Sequence, residues 1–281
     1  MQSDIQNRRI RERHDARTGW AFMAPFFIMF LLVFAVPICV AIYQSFFRQV
    51  ASGGGLYGGG ELKNQFVGLE NFTMVITSGQ FWSGMGRVVV YAAFQIPIMI
   101  ISALVLALVL DSFLVRRVGL FRLSYFLPFA IPGIVAAMVW LYIYTPELSP
   151  IVKFFDSLGI HIDFMAPGAP ILASMANMTT WTYTGYNMLI FLAALQAVPH
   201  ELYEAARLDG ASSWQIVRQI KIPMVSGAAL LAVLLSIIGT IQLFNEPAVM
   251  QSANGWMGNA YTPMMMAYNT CPLYPSPRPR D

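Results

Sequence analysis

From Trp20 to Phe47 the chain runs without a single Asp, Glu, Lys or Arg, and it does so again over 88–110, 123–144, 171–197 and 224–244. A helix rising about 1.5 Å per residue needs roughly twenty such residues to cross a hydrocarbon core of about 30 Å. Backbone groups in that core have to pair within their own segment, so runs of this kind are read as helices. Only 11% of residues are charged, against about a quarter in soluble domains. The expectation is an all-α polytopic membrane protein with five spans. Pro25 and Pro37 are tolerable in the first, where neighbouring helices satisfy freed carbonyls, and Pro128 and Pro132 are expected to bend the third. No small-residue cleavage site follows the first run, which is longer than a signal-peptide core, so it is read as a retained span.

Basic residues set the orientation. With the N-terminus inside, the tail 1–19 contributes Arg8, Arg9, Arg11, Arg13 and Arg17; the loop 111–122 adds Arg116, Arg117 and Arg122; and the segment 198–223 adds Arg207, Arg218 and Lys221. Arg48, Lys63, Arg87 and Lys153 fall outside. That asymmetry fits the positive-inside rule. It makes 1–19 a cytoplasmic basic tail, 20–47 the first transmembrane helix, 48–86 an extracytoplasmic loop and 87–270 the core. Residues 245–262 are placed outside.

Several chemistries are excluded or disfavoured. Net charge is only +3, so nucleic acid is not an expected partner; membrane lipid is. The glycine-rich stretch 53–60 is not followed by Gly-Lys-Ser/Thr, so it reads as a flexible linker and not a phosphate cradle. There is no His-Glu-x-x-His and no Cys-x-x-Cys. Cys39 and Cys271 make no disulfide framework, and His14, His161 and His200 are isolated. No catalytic residue, metal site or bound cofactor is expected. An ion-coupled carrier usually keeps a charge within its spans, and none lies within these. Energy therefore has to enter from another chain.

The polar interruption at 198–223 is the place for that entry. Glu204, Ala205, Ala206 and Arg207 sit in a short helix that Gly210 ends as its C′ residue. Ser212 caps a second helix, with Gln215 completing a capping box. In it Trp214, Val217 and Ile220 share a face, and Pro223 opens the next apolar run. The spacing of Glu204-Ala205-Ala206, Gly210, Ile220, Ile222 and Pro223 resembles the EAA loop of permease subunits of bacterial ABC importers, with Ile222 where the family has Leu. The wording ELYEAARLDGAS looks most like the carbohydrate-importing, maltose-type branch. VGLENF at 67–72 resembles an external segment of sugar permeases.

The resemblance implies the fold of a type-I ABC importer transmembrane domain in the cytoplasmic (inner) membrane of a bacterium. It implies a second permease subunit, two ATPase subunits using ATP and Mg²⁺, and an extracytoplasmic solute-binding protein. It places ATPase docking on Glu204, Ala205, Ala206, Gly210, Trp214, Ile216, Ile220 and Pro223. Sugars are held by aromatic faces and hydrogen-bonding side chains, so Asn177, Trp181, Tyr186, Asn187, Gln242 and Asn245 are the candidates for a substrate path. The other reading of such residues is helix glue or an interfacial belt. The family usually has a sixth span; here 271–281 is rich in proline and departs from it, which reads as a truncated or altered end. An amino-acid or peptide importer, a self-sufficient secondary carrier and a non-transporting membrane assembly subunit are the alternatives.

Overall fold

A computed structural model describes residues 17–52, 61–112, 117–161 and 163–270. The basic residues Arg8, Arg9, Arg11, Arg13 and Arg116, the glycine stretch 53–60, Cys271 and the proline-rich tail lie outside the described residues. The chain divides into two compact units, 1–78 and 79–281.

The first unit opens with helix α1, Arg17–Gln44, which includes a π-type turn at Leu31–Ala35. None of its apolar window is buried, as suits a helix that faces lipid. The expected loop is more ordered than its composition suggests. Strands β1 (Phe47–Ser52) and β2 (Glu61–Phe66) form an antiparallel hairpin in which Phe47 pairs with Phe66. Helix α2 (Glu70–Thr77) follows. Asn71 Nδ2 donates to the carbonyls of Ser45 and Phe47 at 2.8 and 3.0 Å, tying α2 to the hairpin. The cross-strand Phe47–Phe66 contact could not be read from a segment whose middle is glycine.

The second unit is built on α3 (Gly79–Leu110) and α7 (Ala169–Gln196), packed along each other. Helix α3 begins nine residues before the expected Val88. Its buried positions Val88, Tyr91, Gln95, Met99, Ala103, Ala107 and Leu110 recur at helical spacing, and Ala103 and Ala107 are fully buried. Small residues four apart let helices approach closely, which is how they associate where lipid removes the hydrophobic drive.

The third expected span is broken rather than bent. Helix α4 (Val118–Phe126) runs into a 3₁₀ turn (Leu127–Ala130), and α5 (Gly133–Tyr144) leaves at 95°. Ile131 has ψ of 131°, because the residue before a proline avoids the helical region, and Pro132, at the N-cap of α5, has the same ψ. The short α6 (Pro150–Ser157) is capped by Ser149. After α7 come α8 (His200–Leu208) and α9 (Ser213–Met224), then α10 (Ser226–Ile241), bent from α9 by 58°. Helices α11 (Asn245–Ala253) and α12 (Pro263–Thr270) complete it.

All five uncharged runs are thus helical. Among the described residues α1 and α3 are each long and apolar enough to cross a membrane, and the pairs α4–α5 and α9–α10 reach that length and apolarity only together. Helix α7 is long enough by rise but less apolar. It is surrounded by its neighbours and can carry polar groups that a lipid-facing helix cannot.

Two apolar clusters hold the ends of α7. One joins Ile171, Met175 and Met178 to Tyr91, Ala137, Tyr144, Met250 and Met265. The other joins Met188, Phe191, Leu192 and Leu195 to Ala103, Ala107, Leu110, Val225 and Ala232. The polar middle of α7 lies between them.

Candidate functional site

The loop at 198–223 is a helix, a turn and a second helix. Gly210 has φ of +82°, the left-handed conformation that glycine adopts without a Cβ penalty. Its N–H donates to the Arg207 carbonyl at 3.1 Å, and that of Ala211 reaches the Ala206 carbonyl at 2.9 Å. This pair of bonds is a Schellman ending. One turn later Ser212 Oγ accepts from Gln215 N–H at 3.3 Å, and Gln215 Oε1 accepts from Ser212 N–H at 2.7 Å. Two orphan donors at the start of α9 are satisfied reciprocally.

Glu204, Ala205, Gly210 and Pro223 are exposed, while Ala206 and Ile220 are half-buried. Trp214 is 69% exposed, whereas Ile216 is 7% exposed. Of the docking candidates, Ile216 is therefore buried and not at the surface, and Trp214 is more exposed than the half-buried Val217 and Ile220 expected on its face. At about 3.6 residues per turn, residues two apart fall on opposite sides of a helix, so Ile216 turns inward and Trp214 outward; a π-type turn follows at Val217–Lys221.

The loop is anchored at Lys221, whose Nζ donates to Asp111 Oδ2 at 2.6 Å. The Lys221 ammonium lies 5.3 Å from the Tyr203 ring centroid. Burial, and then the Asp111 carboxylate, push the Tyr203 phenol above its ordinary range. Loop 111–122 and the 198–223 segment therefore meet at one end of α3. At the other end Arg87 donates to the Tyr261 carbonyl at 3.1 Å, and Asn254 reaches Met165 Sδ at 3.7 Å.

The substrate-path candidates do not form one group. Asn177 Nδ2 donates to Tyr144 Oη at 2.8 Å and lines two hollows, of about 490 and 610 Å³. Trp181 packs edge-on against Trp140 at 5.8 Å. Tyr186 stacks on Phe129 at 4.7 Å. Gln242 and Asn245 are exposed, and Asn245 sits against Gly133 at the start of α5. Asn187 differs: it is 3% exposed, and its amide is committed to the Tyr183 carbonyl at 3.0 Å and Met99 Sδ at 3.6 Å. It glues α7 to α3 instead of facing a passage.

Sequence reasoning overlooked a polar chain through this region. Tyr91 Oη donates to Thr179 Oγ1 at 2.6 Å, and Thr179 donates to Glu246 Oε1 at 3.0 Å. Glu246 falls in the polar segment 245–262 that the sequence places outside. Its flanks, Leu243-Phe244 before and Pro247-Ala248-Val249 after, were the available signal, since a lone acid in an apolar setting needs a partner. Asp111 carried a similar signal, an acid standing directly after an uncharged run. Among the described residues no group of three metal-ligating side chains occurs.

Comparison with known proteins bears on this arrangement. The family described as binding-protein-dependent transport system inner membrane component matches residues 99–271. The lactose transport system permease protein LacF of Rhizobium radiobacter is 30% identical over 239 residues, 84% of this chain and 76% of that protein. The trehalose/maltose transport system permease protein MalF of Thermococcus litoralis is 27% identical over 259 residues, covering 91% and 83%. A solved bacterial ABC transporter that imports the acidic polysaccharide alginate shares the fold, with a TM-score of 0.66 at 19% identity, covering 92% of both chains. The chain belongs to the family of inner membrane components of binding-protein-dependent transport systems, and is a permease component of an ABC importer.

Proposed function

We propose that this permease imports a sugar or sugar derivative, with its N-terminus in the cytoplasm and with α8, the Gly210 turn and α9 docking an ATPase subunit. The observation that carries the docking role is the exposure of Glu204, Ala205 and Trp214 on a helix–turn–helix whose ends are fixed. The Schellman ending and the capping box make the turn stiff, and Lys221 ties it to α3. A stiff lever moves the helices behind it when two ATPase subunits close on ATP; a floppy loop would absorb the motion. Coupling of this kind is a free energy shared between distant sites, carried by rigid-body displacement. Glu204 accepts from basic or backbone donors of the partner, Ala205 permits close approach, and Trp214 is an exposed aromatic of the type that anchors interfaces.

Sugar as substrate rests on two supports. Relatives covering most of the chain are named for lactose and for trehalose and maltose. On α7, Asn177 and Trp181 also bring a hydrogen-bonding group and an aromatic face together through Tyr144 and Trp140. A second permease subunit, two ATPase subunits and an extracytoplasmic solute-binding protein complete the working assembly. ATP and Mg²⁺ act in the ATPase subunits, and this chain binds no cofactor of its own.

Site-directed cross-linking tests the docking role. With Cys39 and Cys271 replaced by serine, single cysteines at Ala206 and Ser213 are expected to cross-link to cysteines in the ATPase cleft with a yield that changes on ATP addition. An assembled complex that gives no cross-link at either position would remove the docking reading.

A further inference from the structure

The ion pair between Lys221 and Asp111 has no local explanation. The two residues are 110 apart in sequence, and their side chains are only 14% and 17% exposed. The Arg48–Glu70 pair, by contrast, is about half exposed on both sides, and such surface pairs contribute little. Asp111 directly follows α3, and its N–H still donates to the Ala107 carbonyl. A carboxylate there opposes the partial negative charge of the helix C-terminus. Helix formation alone therefore disfavours Asp111, and Lys221 is what offsets it. The same ammonium faces the Tyr203 ring, so one cation joins α8, α9 and the end of α3.

The chain connection from the loop to the helix behind it is of another kind. Helices α9 and α10 meet at Val225 with a 58° bend, so the α9 axis is not continued into α10. Val225 is itself buried in the cluster that holds Leu110 and Leu195, beside the ion pair in sequence and in space. The loop thus has two mechanical routes into the core: a bent covalent one to α10, and a non-covalent one to α3.

We propose that the Lys221–Asp111 pair makes the docking loop and α3 one rigid body, so that displacement of α8 and α9 is delivered to α3. The inference rests on the docking reading above. Lys221 and Asp111 are positioning residues, since both side chains are turned into the chain and act through the helices that carry them. Helix α3 packs along α7, so motion delivered to it reaches the polar middle of α7 directly.

Spin-label distance measurements on the assembled complex, without nucleotide and with ATP plus vanadate, test it. Labels at Leu208 on α8 and Val105 on α3 occupy exposed positions, and labels at Leu208 and Leu234 on α10 give the reference pair. The Leu208–Val105 distance is expected not to shift on ATP, while Leu208–Leu234 shifts. With Asp111→Asn the Leu208–Val105 distribution is expected to shift or broaden on ATP, and the swap Asp111→Lys with Lys221→Asp to restore the single unshifted distance. A Leu208–Val105 distance that moves on ATP in the chain with Lys221 and Asp111 intact would overturn the proposal. So would an Asp111→Asn distribution identical to the parent, or no shift in either pair. ATPase subunits that fail to co-purify with the parent chain would overturn the docking reading first, and this inference with it. If Asp111→Asn does not assemble, the parent distances and the swap still decide.

Discussion

Gly185 in the middle of α7 lies directly against the backbone of Tyr125 in α4: a Cβ at position 185 would overlap the Tyr125 carbonyl oxygen. Two helices meet backbone to backbone there, and the contact sets how close the broken α4–α5 element comes to the polar stretch of α7. Gly185→Ala is expected to force a backbone shift. Overpacking of this type costs about 1–3 kcal/mol. The check is the yield and thermal midpoint of detergent-purified protein, compared with Gly239→Ala. Position 239 has open space around it, so that control is expected to behave like the parent.

Trp214 and Ile216 are expected to separate docking from stability. Trp214→Ala removes a side chain that is mostly exposed, so thermal stability of the isolated permease should move by no more than about 0.5 kcal/mol, while ATPase subunits co-purify poorly. Ile216→Ala removes a buried side chain and should destabilise by about 2–5 kcal/mol. Thermal melts of the permease alone, run beside pull-down of the ATPase, read the two effects. Equal loss in both assays for Trp214→Ala would contradict its assignment.

The turn gives a graded series. Gly210→Ala places a Cβ at φ of +82°, a conformation that costs an L-residue about 1–2 kcal/mol. Gly210→Asn should cost less, since asparagine tolerates that region. Ser212→Ala removes the α9 cap, at about 1 kcal/mol. The order of thermal midpoints should be parent, then Gly210→Asn, then Gly210→Ala, and amide hydrogen exchange should rise at Gln215 in Ser212→Ala.

The Tyr91–Thr179–Glu246 chain gives a fourth. Glu246→Gln keeps an oxygen to accept from Thr179 and is expected to fold like the parent. Glu246→Leu leaves the Thr179 hydroxyl with its donor unsatisfied, a loss of about 1–3 kcal/mol. Tyr91→Phe should cost about 1 kcal/mol, one ordinary hydrogen bond. Melts of the three variants check the ranking. Glu246→Leu as stable as Glu246→Gln would show that the bond to Thr179 carries no weight.

What the sequence alone determined is local. Uncharged runs identified the helical segments because charge exclusion from hydrocarbon acts on every residue in a stretch. Gly210 and the Ser212–Gln215 pair were legible because a Schellman ending and a capping box span only a few residues. Pro128 and Pro132 announced a bend. Tertiary structure decided the rest. The 95° turn after the 3₁₀ segment depends on α5 packing against α11 and α7, and no local pattern sets its size. Helical spacing puts Trp214 and Ile216 on opposite sides of α9, but only packing decided that Ile216 is the one turned inward. Asn187 became glue since Met99 of α3 lies opposite it. Lys221 and Asp111, like Thr179 and Glu246, look like separate polar residues along the chain; each pair forms only when helices distant in sequence are brought together. Burial then makes those partnerships count, because a polar group removed from water has to find its partner within the fold.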